Sequence, residues 1–299
     1  MEKKVLVLSA LLIAGFGAVV SVISLFMKAR GKNTGTLWKK YLSWYFIMPP
    51  IVLPLVFSRL MFQVVVMLLS LLCFNEYSGK VGLKNDKRVL YSCYAAILSF
   101  YAPLFMGWYN LYQSMPVYAV AFLLTVPLQA RRYKGMIRKT GSAVLGIIYF
   151  GWFFSHLAYL RNYSIGVGCI AFLLILVESN DAFGYLIGSV FGRHSLISRI
   201  SPHKTVEGAL GGLLSVSGMG ASLGFLLPGV NIVYTVALSA VISLAGSCGD
   251  LVVSFVKRDL GIKDMGRIIP GHGGLLDRFD SIIFAAPLFF HFVRYIYGF

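Results

Sequence analysis

The sequence predicts an all-α fold: a polytopic integral membrane bundle of about nine or ten transmembrane helices. Three observations support this prediction. The 299 residues are 58% hydrophobic and only 13% charged, with a mean hydropathy of +0.78, which is more apolar sequence than a water-soluble domain needs. Apolar runs close to the length that crosses a bilayer recur along the chain. Basic residues cluster in the short gaps between these runs.

Ten candidate spans can be placed, at about 5–26, 41–57, 60–77, 89–108, 114–129, 140–160, 164–190, 207–227, 231–256 and 280–297. Of the 27 lysines and arginines, 22 lie in alternate loops, whereas the intervening loops contain only Arg59 and Arg161. Because positive loops stay on the cytoplasmic side, we expect the basic loops in the cytoplasm and both termini outside. The first run, which follows MEKK, is longer than a usual signal-peptide core and is interpreted as a span.

The acidic residues are concentrated in one part of the chain, with eight of the 11 between positions 178 and 280. Helical spacing places five of them at one depth in the cytoplasmic half of the bilayer: Glu178, Asp181, Asp250, Asp277 and Asp280. A carboxylate within a membrane is costly and usually faces a polar cavity with a partner. A single acid could be the structural partner of a lysine or arginine, but five at one depth favour a shared pocket. Several carboxylates suit a hard cation such as Mg²⁺.

Two loops supply complementary groups. Residues 191–208, FGRHSLISRISPHKTVEG, contain basic side chains, a predicted turn at Ser201–Pro202 and a helix start at Glu207–Gly208. Residues 257–278, KRDLGIKDMGRIIPGHGGLLDR, add glycines that let backbone N–H groups face an anion. Basic side chains, backbone N–H groups and a metal are the parts of a polyphosphate site. The GxxxxGK[ST] sequence of a P-loop does not occur. The run GALGGLLSVSGMGASLG, residues 208–224, predicts close helix packing through small residues.

Residues 254–280, SFVKRDLGIKDMGRIIPGHGGLLDRFD, resemble the signature of the phosphatidate cytidylyltransferases, also called CDP-diacylglycerol synthases. Every fixed position of that signature is matched: Ser254, Lys257, Arg258, Lys263, Asp264, Gly266, Ile269, Pro270, His272, Gly273, Gly274, Asp277, Arg278 and Asp280. The upstream segments ESNDAFGYLIGSVFGRH and SPHKTVEGALGG are also similar to family segments, so the likeness covers about residues 175–285. Residues 1–130 match no motif, which leaves the specificity for the lipid acceptor open.

The resemblance implies a membrane-embedded nucleotidyltransferase that transfers the cytidylyl group of CTP to phosphatidate, giving CDP-diacylglycerol and pyrophosphate. It also implies Mg²⁺, with or without a monovalent cation such as K⁺, and a homodimer in the inner (cytoplasmic) membrane with its active site facing the cytoplasm. Nucleic acid is not an expected partner, and membrane lipids are. Residues 1–130 are then N-terminal transmembrane helices, and residues 131–299 a C-terminal transmembrane catalytic region.

The matched positions carry the expected site residues. For the metal, the resemblance points to Asp250 and Asp277, with Asp181 and Asp280 beside them. The residues expected to be catalytic are Asp250, Asp277, Asp280, Lys257, Lys263 and Asp264. The residues expected to bind substrate are Arg193, Ser201, Lys204, Thr205, Arg258, His272, Gly273, Gly274 and Arg278.

Three alternatives stay open. The same chemistry could use another lipid, such as an ether-linked phosphatidic acid, or a polyprenol in a CTP-dependent kinase. An intramembrane acid cluster could be the ion site of a cation-coupled transporter, which would be expected to show inverted repeats and broken helices. The sequence shows neither feature. A purely structural subunit would have little use for carboxylates in lipid.

Overall fold

The computed structural model describes residues 48–129, 134–266 and 274–299. In chain order the α-helices are α1 (Pro49–Phe57), α2 (Arg59–Lys80), α3 (Lys87–Met106), α4 (Tyr109–Thr125), α5 (Met136–Gly146), α6 (Phe154–Leu160), α7 (Gly166–Phe191), α8 (Val206–Ser222), α9 (Ile232–Asp259) and α10 (Leu276–Tyr297). A π-helical segment, Ile147–Phe153, joins α5 to α6 without a break. Two short strands, β1 (Ser195–Ile197) and β2 (Ser201–Thr205), lie between α7 and α8.

The described helices confirm the predicted all-α membrane bundle. Seven of them are long and apolar enough to cross a membrane, namely Arg59–Lys80, Lys87–Met106, Tyr109–Leu128, Met136–Leu160, Gly166–Phe191, Ile232–Asp259 and Leu276–Tyr297. The predicted count of nine or ten stays a prediction. The span expected at 5–26 and residues 41–47 of the span expected at 41–57 lie outside the described residues. The described part of the second span contains α1, with 9 residues, and the span expected at 207–227 corresponds to α8, with 17.

The loop after α7 folds as a β-hairpin, in which β1 and β2 pair antiparallel. The predicted turn at Ser201–Pro202 is therefore wrong, because these two residues begin β2 and the turn lies at 198–200. A proline lacks an N–H group but is tolerated at the start of an edge strand. The Thr205 hydroxyl accepts a hydrogen bond from the N–H of Gly208 (3.1 Å) and thereby caps α8.

Hydrogen bonds between loop regions show which loops lie at the same end of the bundle. At one end they join the loops that carry most of the basic residues, and at the other end they join the intervening loops. The pairs at the basic end are Lys139–Asp86 (3.1 Å) and Arg258–Ile200 (3.2 Å), and those at the other end are Asn162–Leu104 (2.9 Å) and Tyr297–Pro228 (3.0 Å). This arrangement agrees with the alternation that the charge pattern predicts.

Helices α7 and α8 pack closely through glycine, as the small-residue run predicts. A Cβ atom added at Gly208 would lie 2.6 Å from the carbonyl oxygen of Gly184, and one at Gly188 would lie 2.8 Å from the Thr205 hydroxyl. Without these glycines the two backbones could not approach so closely. This packing holds the β-hairpin against the C-terminal end of α7.

Candidate active site

The crossing of α9 and α10 places two of the acids side by side. A Cβ atom at Gly249 would lie 2.6 Å from the carbonyl oxygen of Asp280, so the helices are in backbone contact there. The Tyr149 hydroxyl, from the π-helical segment, donates to the carbonyl oxygens of Gly249 (3.4 Å) and Asp280 (3.3 Å). Asp250, the next residue after Gly249, is thereby held beside the first turns of α10.

Asp181, Asp250 and Asp280, from α7, α9 and α10, form what we call the acid cluster. Ser281 connects two of them: its hydroxyl donates to Asp181 (3.3 Å), and its backbone N–H donates to Asp280 (2.8 Å). Asp280 is buried, Asp250 is half-buried, and Asp181 is exposed. The structure thus brings together three of the acids that helical spacing predicts at one depth.

Lys204 brings a positive charge from the β-hairpin to the acid cluster. Its Nζ atom lies 2.5 Å from Asp250 Oδ2, and both side chains are partly exposed. Arg258, near the end of α9, donates to the carbonyl oxygen of Ile200 in the hairpin turn (3.2 Å). The hairpin therefore lies over the acid cluster, and two predicted substrate-binding residues hold it there.

Glu207 fixes the entry to the hairpin. Its carboxylate accepts hydrogen bonds from the backbone N–H groups of Arg193 (3.1 Å) and His194 (3.2 Å), and lies 2.6 Å from Nδ1 of the His194 ring. These hydrogen bonds lower the pKa of Glu207 to about 2, and the His194 ring has the largest effect, ahead of the Arg193 N–H group. Glu207 is therefore ionised at physiological pH, and its carboxylate keeps the hydrogen bonds to Arg193 and His194 that hold the hairpin.

Asp277 has partners of its own, separate from the acid cluster. Its Oδ1 atom accepts a hydrogen bond from Lys257 Nζ (3.0 Å), and its Oδ2 atom accepts from the N–H groups of Met265 (3.1 Å) and Gly274 (2.9 Å). The Asp277 and Lys257 side chains are only 8% and 14% exposed, so the pair is largely shielded from solvent. Asp277 thus contacts the chain both after α9, at Met265, and before α10, at Gly274. Metal binding by Asp277 stays a prediction.

Comparison with known proteins assigns this site to a family. The model of the cytidylyltransferase family matches residues 38–296, which include the acid cluster, the hairpin and the matched signature. The chain belongs to the cytidylyltransferase family. The family predicted from residues 254–280 is thereby confirmed.

Relatives of this cytidylyltransferase-family protein occur in several bacteria. It is 40% identical over 194 residues to the uncharacterized protein YnbB of Escherichia coli (strain K12), an alignment covering 58% of this chain and 64% of that protein. It is 35% identical over 182 residues to the phosphatidate cytidylyltransferase of Staphylococcus aureus (strain COL), covering 60% and 69%. It is 36% identical over 191 residues to the Staphylococcus saprophyticus protein of the same name, an alignment covering 61% of this chain and 70% of that protein. The chain thus spans a little under two thirds of the Escherichia coli relative.

The other expected site residues lie around this centre or outside the described part of the chain. Arg193, Lys263 and Asp264 are exposed, and Ser201 is half-buried in β2. Thr205 caps α8, and Gly274 donates its N–H to Asp277. His272 and Gly273 lie outside the described residues.

Arg278 lines a small cavity between α1, α7 and α10. Glu178 of α7 lines the same cavity, together with Met48, Ile51, Leu174, Phe279 and Ile282. The Nε atom of Arg278 is buried and has no hydrogen-bond partner among the described residues. Arg278 and Glu178 therefore line one cavity, with apolar side chains around them.

Glu76, which lies on α2, is a site residue that the sequence analysis did not identify. Its two carboxylate oxygens accept hydrogen bonds from the backbone N–H groups of Leu275 (3.0 Å) and Leu276 (2.9 Å), where α10 begins. The residue is 8% exposed. No spacing rule could have found it, because it lies about 200 positions before its partners and residues 1–130 match no motif.

The donor atoms of the acid cluster fit Mg²⁺. Among the described residues, no three histidine, cysteine, aspartate or glutamate side chains are grouped closely enough to form a complete protein cage for a metal. Mg²⁺ does not need such a cage, because it is usually bound by one or two carboxylates together with phosphate oxygens and water. Asp250 and the hydroxyl-linked Asp181 and Asp280 supply such carboxylates.

Proposed function

We propose that this protein transfers the cytidylyl group of CTP to phosphatidate, giving CDP-diacylglycerol and pyrophosphate. The observation that carries the proposal is the Lys204–Asp250 pair at the acid cluster (2.5 Å), in a chain of the cytidylyltransferase family. The staphylococcal relatives are named phosphatidate cytidylyltransferases, which supports phosphatidate as the acceptor. The name of the Escherichia coli relative indicates no substrate.

The reaction is an in-line displacement at phosphorus. A phosphate oxygen of phosphatidate attacks the α-phosphorus of CTP, the bond from that phosphorus to the oxygen bridging the β-phosphate breaks, and pyrophosphate leaves. Because the attacking phosphate is already an anion, the chain needs neither a general base nor a covalent intermediate. Its task is to orient two anions and to compensate their charge. We propose Lys204, which contacts Asp250 at the acid cluster, and Lys257, which contacts Asp277, for this task.

Asp250, with Asp181 and Asp280 beside it, would hold Mg²⁺, with or without a monovalent cation such as K⁺. When bound, the metal supplies positive charge that neutralises the triphosphate and polarises the phosphorus that is attacked. Asp277 is the other residue proposed for the metal, by its position in the signature. In the structure its carboxylate holds Lys257 and two backbone N–H groups.

The lipid substrate would enter sideways from the bilayer. Exposing acyl chains to water costs about 0.8 kcal/mol for each CH₂ group, so phosphatidate cannot leave the membrane cheaply. On the half of α7 that carries Asp181, large apolar side chains are exposed, including Tyr185 (72%) and Phe191 (66%). This uncovered apolar surface beside the acid cluster supports lateral entry of the lipid, with CTP entering from the cytoplasm. The same surface is available to a second copy in a homodimer.

The location of the site in the cell can be tested by cysteine labelling. In a Cys248→Ser background, Ser195→Cys in the hairpin is expected to react with a membrane-impermeant reagent only from the cytoplasmic side of the inner membrane. Ser164→Cys, which is also an exposed position but lies in the opposite loops, is expected to react only from outside. The reason is the strong bias of basic residues toward alternate loops. Labelling of Ser195→Cys in intact cells would contradict the proposed orientation.

The acceptor can be tested with purified protein in detergent. The protein is incubated with Mg²⁺, CTP labelled in the cytidine and one of four lipids: phosphatidate, an ether-linked phosphatidic acid, a polyprenol or diacylglycerol. Extraction then shows which lipid acquires the label. We expect label in the phosphatidate reaction and none in the polyprenol and diacylglycerol reactions, because only a phosphate monoester carries the attacking oxygen. Turnover with the ether lipid but not with phosphatidate would overturn the assigned acceptor.

A further inference from the structure

We infer that Glu76, on α2, is a positioning residue for cytidylyl transfer: it holds the first turn of α10, and with it Asp277 and Asp280, in the active geometry. The inference rests on the proposed function and extends it to the N-terminal helices. Neither the signature nor the segments around it contain this residue, which lies well outside residues 175–285.

Glu76 acts as a cap for a helix that has none of its own. The first N–H groups of a helix lack partners within that helix, and no side chain within α10 caps its start at Leu275. The Glu76 carboxylate accepts hydrogen bonds from Leu275 (3.0 Å) and Leu276 (2.9 Å), one with each oxygen. Its negative charge also lies at the positive end of the helix dipole. A buried carboxylate on α2 thus determines where α10 begins.

Two glycines of the signature, Gly266 and Gly274, pack directly against this carboxylate. A Cβ atom at Gly274 would lie 2.5 Å from Glu76 Oε2, and one at Gly266 would overlap Glu76 Oε1. Gly266 and Gly274 are also in backbone contact with each other. Two glycines of the signature therefore leave room for a side chain that lies about 200 residues before them.

Glu76 and Asp277 together hold three consecutive backbone N–H groups. Gly274 donates to Asp277 (2.9 Å), and Leu275 and Leu276 donate to Glu76. Asp277 in turn accepts from Lys257 (3.0 Å). A shift of the first turn of α10 would therefore move Asp277 away from Lys257. It would also displace Asp280 of the acid cluster, which lies one turn further along the helix. This chain of contacts makes Glu76 a positioning residue, although it does not itself reach the acid cluster.

The kinetic test uses Glu76→Gln, Glu76→Asp and, as a matched control, Asn75→Ala. Asn75 is the neighbouring residue on α2 and accepts a hydrogen bond from Tyr94 of α3 (3.2 Å), so its loss weakens the contact between α2 and α3 and leaves the Glu76 hydrogen bonds in place. A glutamine would point a donor at one of the two N–H groups. We expect kcat of Glu76→Gln to fall by about ten- to a hundredfold, with little change in KM for CTP. The shorter aspartate is expected to restore part of kcat, and Asn75→Ala to keep it. An unchanged kcat in Glu76→Gln, or an equal loss in Asn75→Ala, would overturn the inference.

A second measurement does not depend on activity. In the substrate-free protein, amide hydrogen exchange of residues 274–280 is expected to be faster in Glu76→Gln than in the wild type, and unchanged in Asn75→Ala. Unchanged exchange in Glu76→Gln would refute the capping role. Faster exchange with an unchanged kcat would make Glu76 structural only. If the wild type produced no lipid product at all, the proposed function would fail, whereas the exchange measurement would still decide the capping role.

Discussion

Asp277→Asn is expected to reduce turnover by about a hundredfold or more and to lower the unfolding temperature of the detergent-solubilised protein. Both oxygens of Asp277 accept hydrogen bonds, one from Lys257 and the other from two backbone N–H groups. An asparagine must turn its NH₂ group toward one of these donors. It also leaves the Lys257 ammonium group without its counter-charge. Breaking one side of a buried ion pair typically costs about 3–5 kcal/mol.

Two further variants separate the chemistry from the folding. Asp259→Asn changes an exposed carboxylate at the end of α9, and we expect it to lose little turnover and little stability. Adding Lys257→Met to Asp277→Asn removes the unpaired charge, so the double variant is expected to regain stability without regaining activity. Near-normal turnover in Asp277→Asn, or equal losses in Asp277→Asn and Asp259→Asn, would contradict a specific role for Asp277.

Asp250→Asn is expected to reduce kcat by about a hundredfold or more while the fold survives. Asp250 contributes the carboxylate that Lys204 contacts and that we propose for Mg²⁺. Replacing it lowers the negative charge of the acid cluster and releases Lys204 from its position. The cluster itself loses a repulsive neighbour of Asp280, so its stability is not expected to fall greatly. Turnover as a function of Mg²⁺ concentration, together with thermal unfolding, measures both effects.

The chain offers a matched control for this variant. The Lys139–Asp86 pair (3.1 Å) joins two loops at the same end of the bundle, and its side chains are 33% and 26% exposed, close to the 28% and 27% of Lys204 and Asp250. Asp86→Asn therefore removes a similar ion pair away from the acid cluster. It is expected to keep kcat and its dependence on Mg²⁺. A comparable loss of kcat in both variants would mean that any ion pair at this end matters, and would contradict a specific role for Asp250.

Helical periodicity predicted the three acids of the cluster, but it also placed Asp277 among them, whereas the structure gives Asp277 separate partners. Asp181, Asp250 and Asp280 lie on three long apolar helices whose direction follows from the basic loops, and depth along a helix is a simple function of residue number. The glycine-rich run of α8 likewise predicted close helix packing, and the structure shows that α7 is the partner. What periodicity cannot supply is the identity of the helix neighbours. The crossing at Gly249, which aligns Asp250 with Asp280, is visible only in the structure.

The unpredicted features depend on contacts that are distant in sequence or on local competition. Glu76 meets its partners about 200 residues later, so no short-range pattern indicates it. Ser201–Pro202 has the composition of a turn, but these residues belong to β2, which pairs with β1, and the turn lies just before them at 198–200. The Thr205 hydroxyl accepts a hydrogen bond from Gly208 and caps α8, a role that its expected substrate binding did not indicate, and that binding stays a prediction. The partners of Glu76 and of β2 cannot be recognised from the residues around them, whereas the partner of Thr205 is only three residues away.

The N-terminal helices are therefore part of the site's support. Glu76 of α2 caps α10, and Met48 and Ile51, at the start of the described chain, line the cavity that contains Arg278 and Glu178. The division of the chain into N-terminal helices, residues 1–130, and a catalytic region, residues 131–299, stays a prediction. The contacts across that boundary explain how a region without a recognised motif can still influence the geometry of the reaction.

The position of a radioactive label tests the central claim, cytidylyl transfer, most directly. Purified protein is given phosphatidate, Mg²⁺ and CTP labelled with ³²P at either the α- or the γ-phosphate, and the lipids are then extracted. We expect the α-label in the lipid fraction and the γ-label in water-soluble pyrophosphate, with both signals lost in Asp250→Asn and kept in Asp86→Asn. Label from the γ-phosphate in the lipid would show a CTP-dependent kinase, and the absence of α-label from the lipid would contradict cytidylyl transfer.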